Sequence, residues 1–289
     1  MPELPEVETV RVGLARLLPG RVISEVSHDW PKSFPNVQAD VDTFLLKASV
    51  TDVRRRAKVL FIDLSSKYSL VIHLKMTGQL VFDSANEHFG AGHPNQSLIG
   101  QLPDKSTRVI LEFEDGSTLF FNDQRKFGWV KLLPTVEIPN IDFMRKVGPE
   151  PLLADFTWQV MRDRLQRRKN TSIKAALLDQ TVIAGVGNIY ADESLWGAKI
   201  HPATLVRSVS DAKIKLLHRA LVDVLALAIE KGGSSNHTYV NAEGKKGSYM
   251  NFANVFRRDG QTCPRCGTTI IKLKVAGRGT HICPKDQTL

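Results

Sequence analysis

The feature that most restricts the fold is a change of hydrophobic rhythm at VGPEPL (147–152), where Pro149 and Pro151 interrupt the chain. Before it, apolar residues come in short β-rich runs: VLFIDL (59–64), SLVIHL (69–74), RVILEFE (108–114) and STLFFN (117–122). The EDGS between the last two is a turn signal and predicts a hairpin. Beyond 152, apolar residues recur at helical spacing. This predicts helices near 157–168, 172–180, 189–198 and 210–231, the last closed by Gly232 and Gly233. At the start, Val7, Val10, Leu14 and Leu17 recur at steps of three and four, so a helix precedes the strands and ends near Pro19 and Gly20. Its first turn is expected to hold Glu6 and Glu8, where the helix dipole favours carboxylates.

Strands followed by helices make an α+β chain, and 289 residues suffice for two domains. The expected plan is an N-terminal antiparallel β-sandwich with one N-terminal helix (1–134), a linker (135–152), a helical domain (153–256) and a small terminal hairpin (257–289). The segment 234–256 is polar and aperiodic, and is expected to be a surface loop. No apolar run reaches membrane-spanning length and no secretion signal opens the chain, so a cytoplasmic protein with no membrane partner is expected. The formal net charge of +9 favours a polyanion as partner, because each cation placed against a phosphate releases a condensed counterion.

The only cysteines, Cys263, Cys266 and Cys283, cluster near the end of the chain. An odd, clustered set points away from a disulfide framework and towards a metal knuckle. CPRC (263–266) is answered by CPKD (283–286), so Asp286 stands where a fourth thiolate would complete a tetrahedral zinc shell. Its carboxylate is a harder ligand than sulfur, and His281 is a nearby alternative. Between the knuckles, the turn AGRG places Arg278 at an exposed tip, suited to clamp phosphates.

Other motifs allow a plain and a chemical reading. GVGNIYADE (185–193) is an ordinary helical corner, or an anion site with Asn188 as N-cap of a helix beginning at Ile189 and with Lys169 and Lys174 flanking it. Arg54, Arg55 and Arg56 form a solvated face, or lead to Lys58 at a strand mouth. HLKMTG (73–78) and DQRKFG (123–128) place Met76, Arg125 and Phe127 near strand ends, where they pack inward or act as wedges between stacked bases. MPELPEVETV begins with a proline and three glutamates, which is a helix start unless the chain terminus itself reacts.

Taken in order, PELPEVETVR, RRRAK, HLKMTG, RKFG, GPEPL, NTSIKAALLDQ, GVGNIYADESL and the terminal finger resemble the formamidopyrimidine-DNA glycosylase family, bacterial enzymes that excise oxidised purines such as 8-oxoguanine. The resemblance implies a helix-two-turn-helix domain, a zinc-finger hairpin and a monomer acting on damaged double-stranded DNA. It implies that Met1 is removed and that Pro2 attacks C1′ of the lesion, with Glu3 as acid–base partner and Lys58 assisting. An α-amino group, with a pKa of about 8 against about 10.4 for lysine, has a free-base fraction larger by roughly two orders of magnitude at neutral pH.

By the same resemblance, Lys58, His73, Met76, Arg125, Phe127, Lys174, Asn188 and Arg278 contact DNA, with Arg125 facing the orphaned cytosine. Glu6, Ser234, Tyr239 and Tyr249 line the lesion pocket, and residues 234–250 form a capping loop over it. Cys263, Cys266, Cys283 and Asp286 hold one structural Zn2+.

Three departures stand out. Asp286 replaces a cysteine, Arg257 stands where relatives commonly have glycine, and DKSTRV (104–109) lacks histidines often found before this strand. The alternatives are an endonuclease VIII-like enzyme for oxidised pyrimidines, which commonly has glycine where Leu4 stands, and a non-catalytic DNA-binding protein if Met1 is retained.

Overall fold

The structure is a computed structural model and describes residues 1–234 and 249–289. The chain forms two compact units. The first contains Met1–Arg145 and the described residues from Lys231 to Ser234, and the second contains Lys146–Glu230 and Tyr249–Leu289.

In the first unit, α1 (Leu4–Leu17) leads into β1 (Ile23–His28) and a short helical passage, α2 (Gln38–Asp40), that widens into a π-turn over Val41–Leu45. Eight strands follow: β2 (Val50–Arg56), β3 (Val59–Leu64), β4 (Tyr68–His73), β5 (Gly78–Asp83), β6 (His88–Gly92), β7 (Thr107–Phe113), β8 (Thr118–Asp123) and β9 (Trp129–Pro134). They form two antiparallel sheets, one ordered β1-β7-β8-β5-β6 and the other β2-β3-β4-β9.

Strand alternation explains the sandwich. In β3, Leu60, Ile62 and Leu64 join the main core with Leu80, Phe82, Val109 and Phe121 of the other sheet, whereas Val59 and Phe61 face outward. That outer face is covered by Ile138, Phe143 and Met144, from a 3-10 turn (Thr135–Asn140) and α3 (Asp142–Lys146). Segment 135–146 is thus ordered against the sheet. Helix α1 adds Val7, Val10, Leu14 and Leu17 to the main core. A Cβ on Gly13 would lie 2.0 Å from the Phe89 ring, so glycine is what lets α1 approach β6.

The second unit holds α4 (Trp158–Gln166), α5 (Ile173–Leu178), α6 (Asn188–Gly197) and α7 (Asp211–Glu230) around a core that includes Met161, Leu177, Tyr190, Leu195 and Leu221. Gln180 shapes the α5–α6 corner: its Oε1 accepts from the Gly185 amide (2.9 Å) and its Nε2 donates to the Val186 carbonyl (2.8 Å). The terminal hairpin pairs β10 (Ile271–Val275) with β11 (Arg278–Ile282). Its connecting residues, Ala276 and Gly277, have φ of 49° and 72°, the left-handed pair of a tight hairpin turn.

Candidate active site and nucleic-acid interface

In the first unit the site begins at the N-terminus of α1. Glu3 is the N-cap, with extended backbone, Pro5 lies in the first turn, and the Glu6 carboxylate reaches back to accept the Glu3 amide at 2.8 Å. The other Glu6 oxygen accepts the Ser234 amide, also at 2.8 Å. Pro2, Glu3 and Glu6 are all buried. Glu6 is the acidic residue of the first turn. Contrary to expectation, Glu8 lies one step further on and pairs with Arg11 and Arg55, both at 2.8 Å.

That pairing positions Lys58. Arg55 donates through Nε to Glu8 and through Nη1 to the Ala57 carbonyl (2.9 Å), fixing the β2–β3 turn against α1. Ala57 takes a left-handed φ of 54°, and Lys58 follows it with only 5% of its surface exposed. The register Val59↔His73 brings His73 beside this turn. Burial, followed by the charges of Lys75 and Lys58, lowers the His73 pKa to about 3. The ring is therefore neutral at physiological pH, and its Nδ1 accepts the Lys75 amide at 3.0 Å. His73 can offer hydrogen bonds to a ligand, not charge.

Met76 occupies the β4–β5 turn, and Arg125 and Phe127 the β8–β9 turn. The register Gly78↔Asp123 makes the two turns neighbours. The Arg125 guanidinium lies 4.9 Å from the Phe127 ring centroid, and Phe127 is 52% exposed. Phe127 is thus at the surface and is not part of the core.

The second unit carries the remaining residues. Helix α6 begins at Asn188 itself, with Gly187 as N-cap, one residue earlier than expected. Freed from capping, the Asn188 side chain donates through Nδ2 to the Gly279 carbonyl of β11 (3.0 Å), while its buried Oδ1 has no partner among the described residues. Lys174 does not reach outward as the DNA contact expected of it. It is fully buried, and its ammonium group meets Asp192 (2.6 Å), the Thr280 hydroxyl (2.7 Å) and the Gly279 carbonyl (3.3 Å). These acceptors let Lys174 join the corner to the finger.

Tyr249, expected in the lesion pocket, lies beside residues outside the described ones. It is 1% exposed and packs 5.4 Å from the Tyr190 ring in the helical core. Tyr239 and most of the expected capping loop lie outside the described residues. Arg278 is exposed at the start of β11, as the AGRG turn implied.

Sequence reasoning missed two buried carboxylates. Asp192 accepts the His281 amide (2.9 Å) besides Lys174, and Glu193 accepts the backbone amides of Asn254, Val255 and Phe256 at 2.8–2.9 Å. Their signal was present: two adjacent acids in NIYADESLWG, a helix otherwise made mostly of apolar and small residues, need internal partners.

The ligand atoms of Cys263, Cys266, Cys283 and Asp286 all lie within 4.8 Å of one another. A tetrahedral zinc with bonds of about 2.0–2.3 Å holds its ligands within about 4 Å of each other, so this donor set fits one ion after a small closure. Hydrogen bonds from the Thr268 hydroxyl and amide draw the Cys266 thiol down to about 7, while burial pushes its neighbour Cys283 up to about 11. His281, the alternative ligand, is engaged instead, with Nδ1 3.2 Å from Asp192 and Nε2 3.4 Å from Asp259. Outside the ligand set, Arg265 donates to Asp286 (3.1 Å) and lies 3.8 Å over the Trp196 ring, while Trp196 Nε1 donates to Cys263 Sγ at 3.4 Å.

Arg257 has a φ of 58°, so the lead-in to the finger keeps the left-handed bend that glycine would adopt freely.

Residues 1–130 match the family model of the formamidopyrimidine-DNA glycosylase N-terminal domain, 147–240 the formamidopyrimidine-DNA glycosylase H2TH domain, and 260–289 a zinc finger found in FPG and IleRS. The chain is 41% identical over 290 residues to formamidopyrimidine-DNA glycosylase of Pediococcus pentosaceus, covering 100% of each. It is 44% identical over 292 residues to that of Streptococcus pyogenes, covering 99% of this chain and 98% of the relative. Among solved structures it resembles a Lactococcus lactis FPG mutant in complex with Fapy-dG DNA (TM-score 0.87, 34% identity, 100% of both chains). It also resembles Lactococcus lactis Fpg bound to abasic-site DNA (TM-score 0.86, 33% identity, 99% and 100%). The match runs through the sandwich, the helical corner and the finger alike, and the chain belongs to the formamidopyrimidine-DNA glycosylase family.

Proposed function

We propose that this chain is a bifunctional DNA glycosylase and lyase of base excision repair that removes oxidised purines, 8-oxoguanine and formamidopyrimidines, from duplex DNA. The observation that carries this reading is the N-terminus of α1, where Pro2 directly precedes a buried Glu3 whose amide is held by Glu6. Removal of Met1 leaves a secondary amine beside a carboxyl group, which is the pair that covalent catalysis at a sugar carbon needs.

The Pro2 nitrogen forms a bond to C1′ as the bond from C1′ to the base breaks, and the base departs with the electron pair and a proton. Glu3 protonates the ring oxygen, which opens the sugar and leaves an iminium between Pro2 and C1′. Loss of a C2′ proton expels the 3′ phosphate, a second elimination expels the 5′ phosphate, and hydrolysis frees Pro2. Lys58 serves the flanking phosphate and proton transfer, and neutral His73 hydrogen-bonds beside it. Met76, Arg125 and Phe127 fill the space left by the extruded nucleotide. Asn188 and the exposed Arg278 clamp phosphates.

When bound, zinc cross-links the two knuckles of the finger. Cys263, Cys266, Cys283 and Asp286 hold it, and Arg265 and Trp196 orient two of those ligands. On this reading catalysis and insertion belong to the first unit, and phosphate clamping belongs to the helical corner and the finger of the second. The protein is read as a monomer of the cytoplasm. No described helix is long and apolar enough to cross a membrane.

Borohydride trapping on duplexes tests the reading. Wild-type protein is expected to form an adduct at Pro2 with 8-oxoguanine opposite cytosine, and Pro2→Gly to lose at least about tenfold in trapping, about 1.4 kcal/mol, with DNA binding kept. An adduct that maps to a residue other than Pro2 would refute the nucleophile. A clear preference for thymine glycol opposite adenine would move the enzyme to the pyrimidine branch.

A further inference from the structure

Asp123, the last residue of β8, is 0% exposed and lies between the two turns that carry Met76, Arg125 and Phe127. Its Oδ1 accepts the Thr77 hydroxyl and the Arg125 amide (3.2 Å), and its Oδ2 accepts the amides of Phe127 (2.8 Å) and Gly128 (2.6 Å). Thr77 follows Met76 directly, and its hydroxyl also accepts the Arg125 amide, at 3.1 Å. One side chain therefore ties the backbone of the β8–β9 turn to the β4–β5 turn.

The surroundings leave this carboxylate one position. A Cβ at Gly128 would lie 3.1 Å from Asp123 Oδ2 and 2.6 Å from the Phe121 ring, so the backbone closes on it from that side. The Asp123 amide donates to the Ser106 carbonyl (2.8 Å), and its own carbonyl accepts Arg108 Nε (3.0 Å), which fixes the main chain from β7. Lys126, between Arg125 and Phe127, takes a left-handed φ of 57°. A non-glycine residue holds that conformation only where its neighbours over-determine it, and the amides on both sides of Lys126 end on Asp123.

We propose that Asp123 is the positioning residue for insertion into the duplex: its carboxylate sets Arg125 and Phe127 against Met76, so that damage recognition in paired DNA depends on a residue outside the Pro2–Glu3 pair. This rests on the functional reading above. A wedge must meet a narrow space between stacked bases, and a misplacement of about 1 Å can cost about a hundredfold in rate. A lesion already unstacked makes no such demand.

The experiment compares two substrates with the full chain: excision of 8-oxoguanine from a duplex, and borohydride trapping on an abasic site in a single strand. Asp123→Asn keeps the size of the side chain but turns one acceptor into a donor facing the turn amides. It is expected to lose at least about tenfold on the duplex while trapping on the single strand stays within about twofold of wild type. Thr77→Val, which removes the tie between the turns and leaves the carboxylate, is expected to show the same split in smaller degree, and it decides the matter if Asp123→Asn does not fold. Equal losses on both substrates, or no loss on the duplex, would overturn the role of Asp123. A wild type that forms no adduct on the single strand would instead overturn the functional reading itself.

Discussion

His73 shows how far a single residue's chemistry departs from what its letter suggests. A histidine in a basic protein reads as a cation for phosphate, yet burial and two lysines hold its folded pKa near about 3. Above pH of about 6.5 the ring is neutral in both folded and unfolded chains. Below that, the unfolded chain takes up a proton that the folded one refuses, so stability falls as pH falls from about 6.5 towards about 3. Between pH 7 and about 4.5 this is on the order of 2 kcal/mol, and His73→Gln is expected to unfold with a correspondingly weaker dependence on pH in urea titrations. An unchanged dependence would mean the ring is protonated in the folded state. Pro2, Glu3 and Met76 stand out in the sequence because their types are unusual where they stand. Lys174 was misread because a lysine beside a glycine-rich corner looks like a phosphate ligand, and only the fold brings Asp192, Thr280 and Gly279 to it.

At the scale of elements, the strands and helices followed their periodicity closely, since β3 spans Val59–Leu64 and α7 spans Asp211–Glu230. Single starts slipped: α6 begins at Asn188 because Gly187 already supplies the extended N-cap. The ordering of 135–146 was invisible in the pattern, because Ile138, Phe143 and Met144 have a purpose only once β3 and β4 present an outer apolar face. The finger is the element where one substitution has a clear sign. Asp286→Cys exchanges a hard oxygen for a soft thiolate, so zinc retention against a competing chelator is expected to rise by about tenfold or more. Equal retention would show that Arg265 already holds the carboxylate well enough to match sulfur.

For the whole molecule, the net charge of +9 announced a polyanion without saying where it is met. Exposed Arg278 gives one place to measure. Arg278→Ala is expected to weaken binding to undamaged and damaged duplexes alike and to reduce the slope of log affinity against log salt by about 1. Loss confined to damaged DNA would assign Arg278 to the lesion instead of the backbone. The return of Lys231–Ser234 to the first unit was beyond linear reading, since it rests on the Ser234 amide meeting Glu6 across most of the chain length.

The neighbouring acids of α6 carry a mechanical consequence. Successive side chains on a helix diverge by about 100°, so Asp192 and Glu193 reach different stretches of backbone. Asp192 takes the amide at His281, and Glu193 takes those at Asn254, Val255 and Phe256, which bracket the metal knuckles. The finger is thus riveted at both edges to one turn of helix. Stripping its metal should raise hydrogen exchange around Thr268 in the interior while the amides at 254–256 and 281 remain slow, so the module softens from its middle and does not peel from an end.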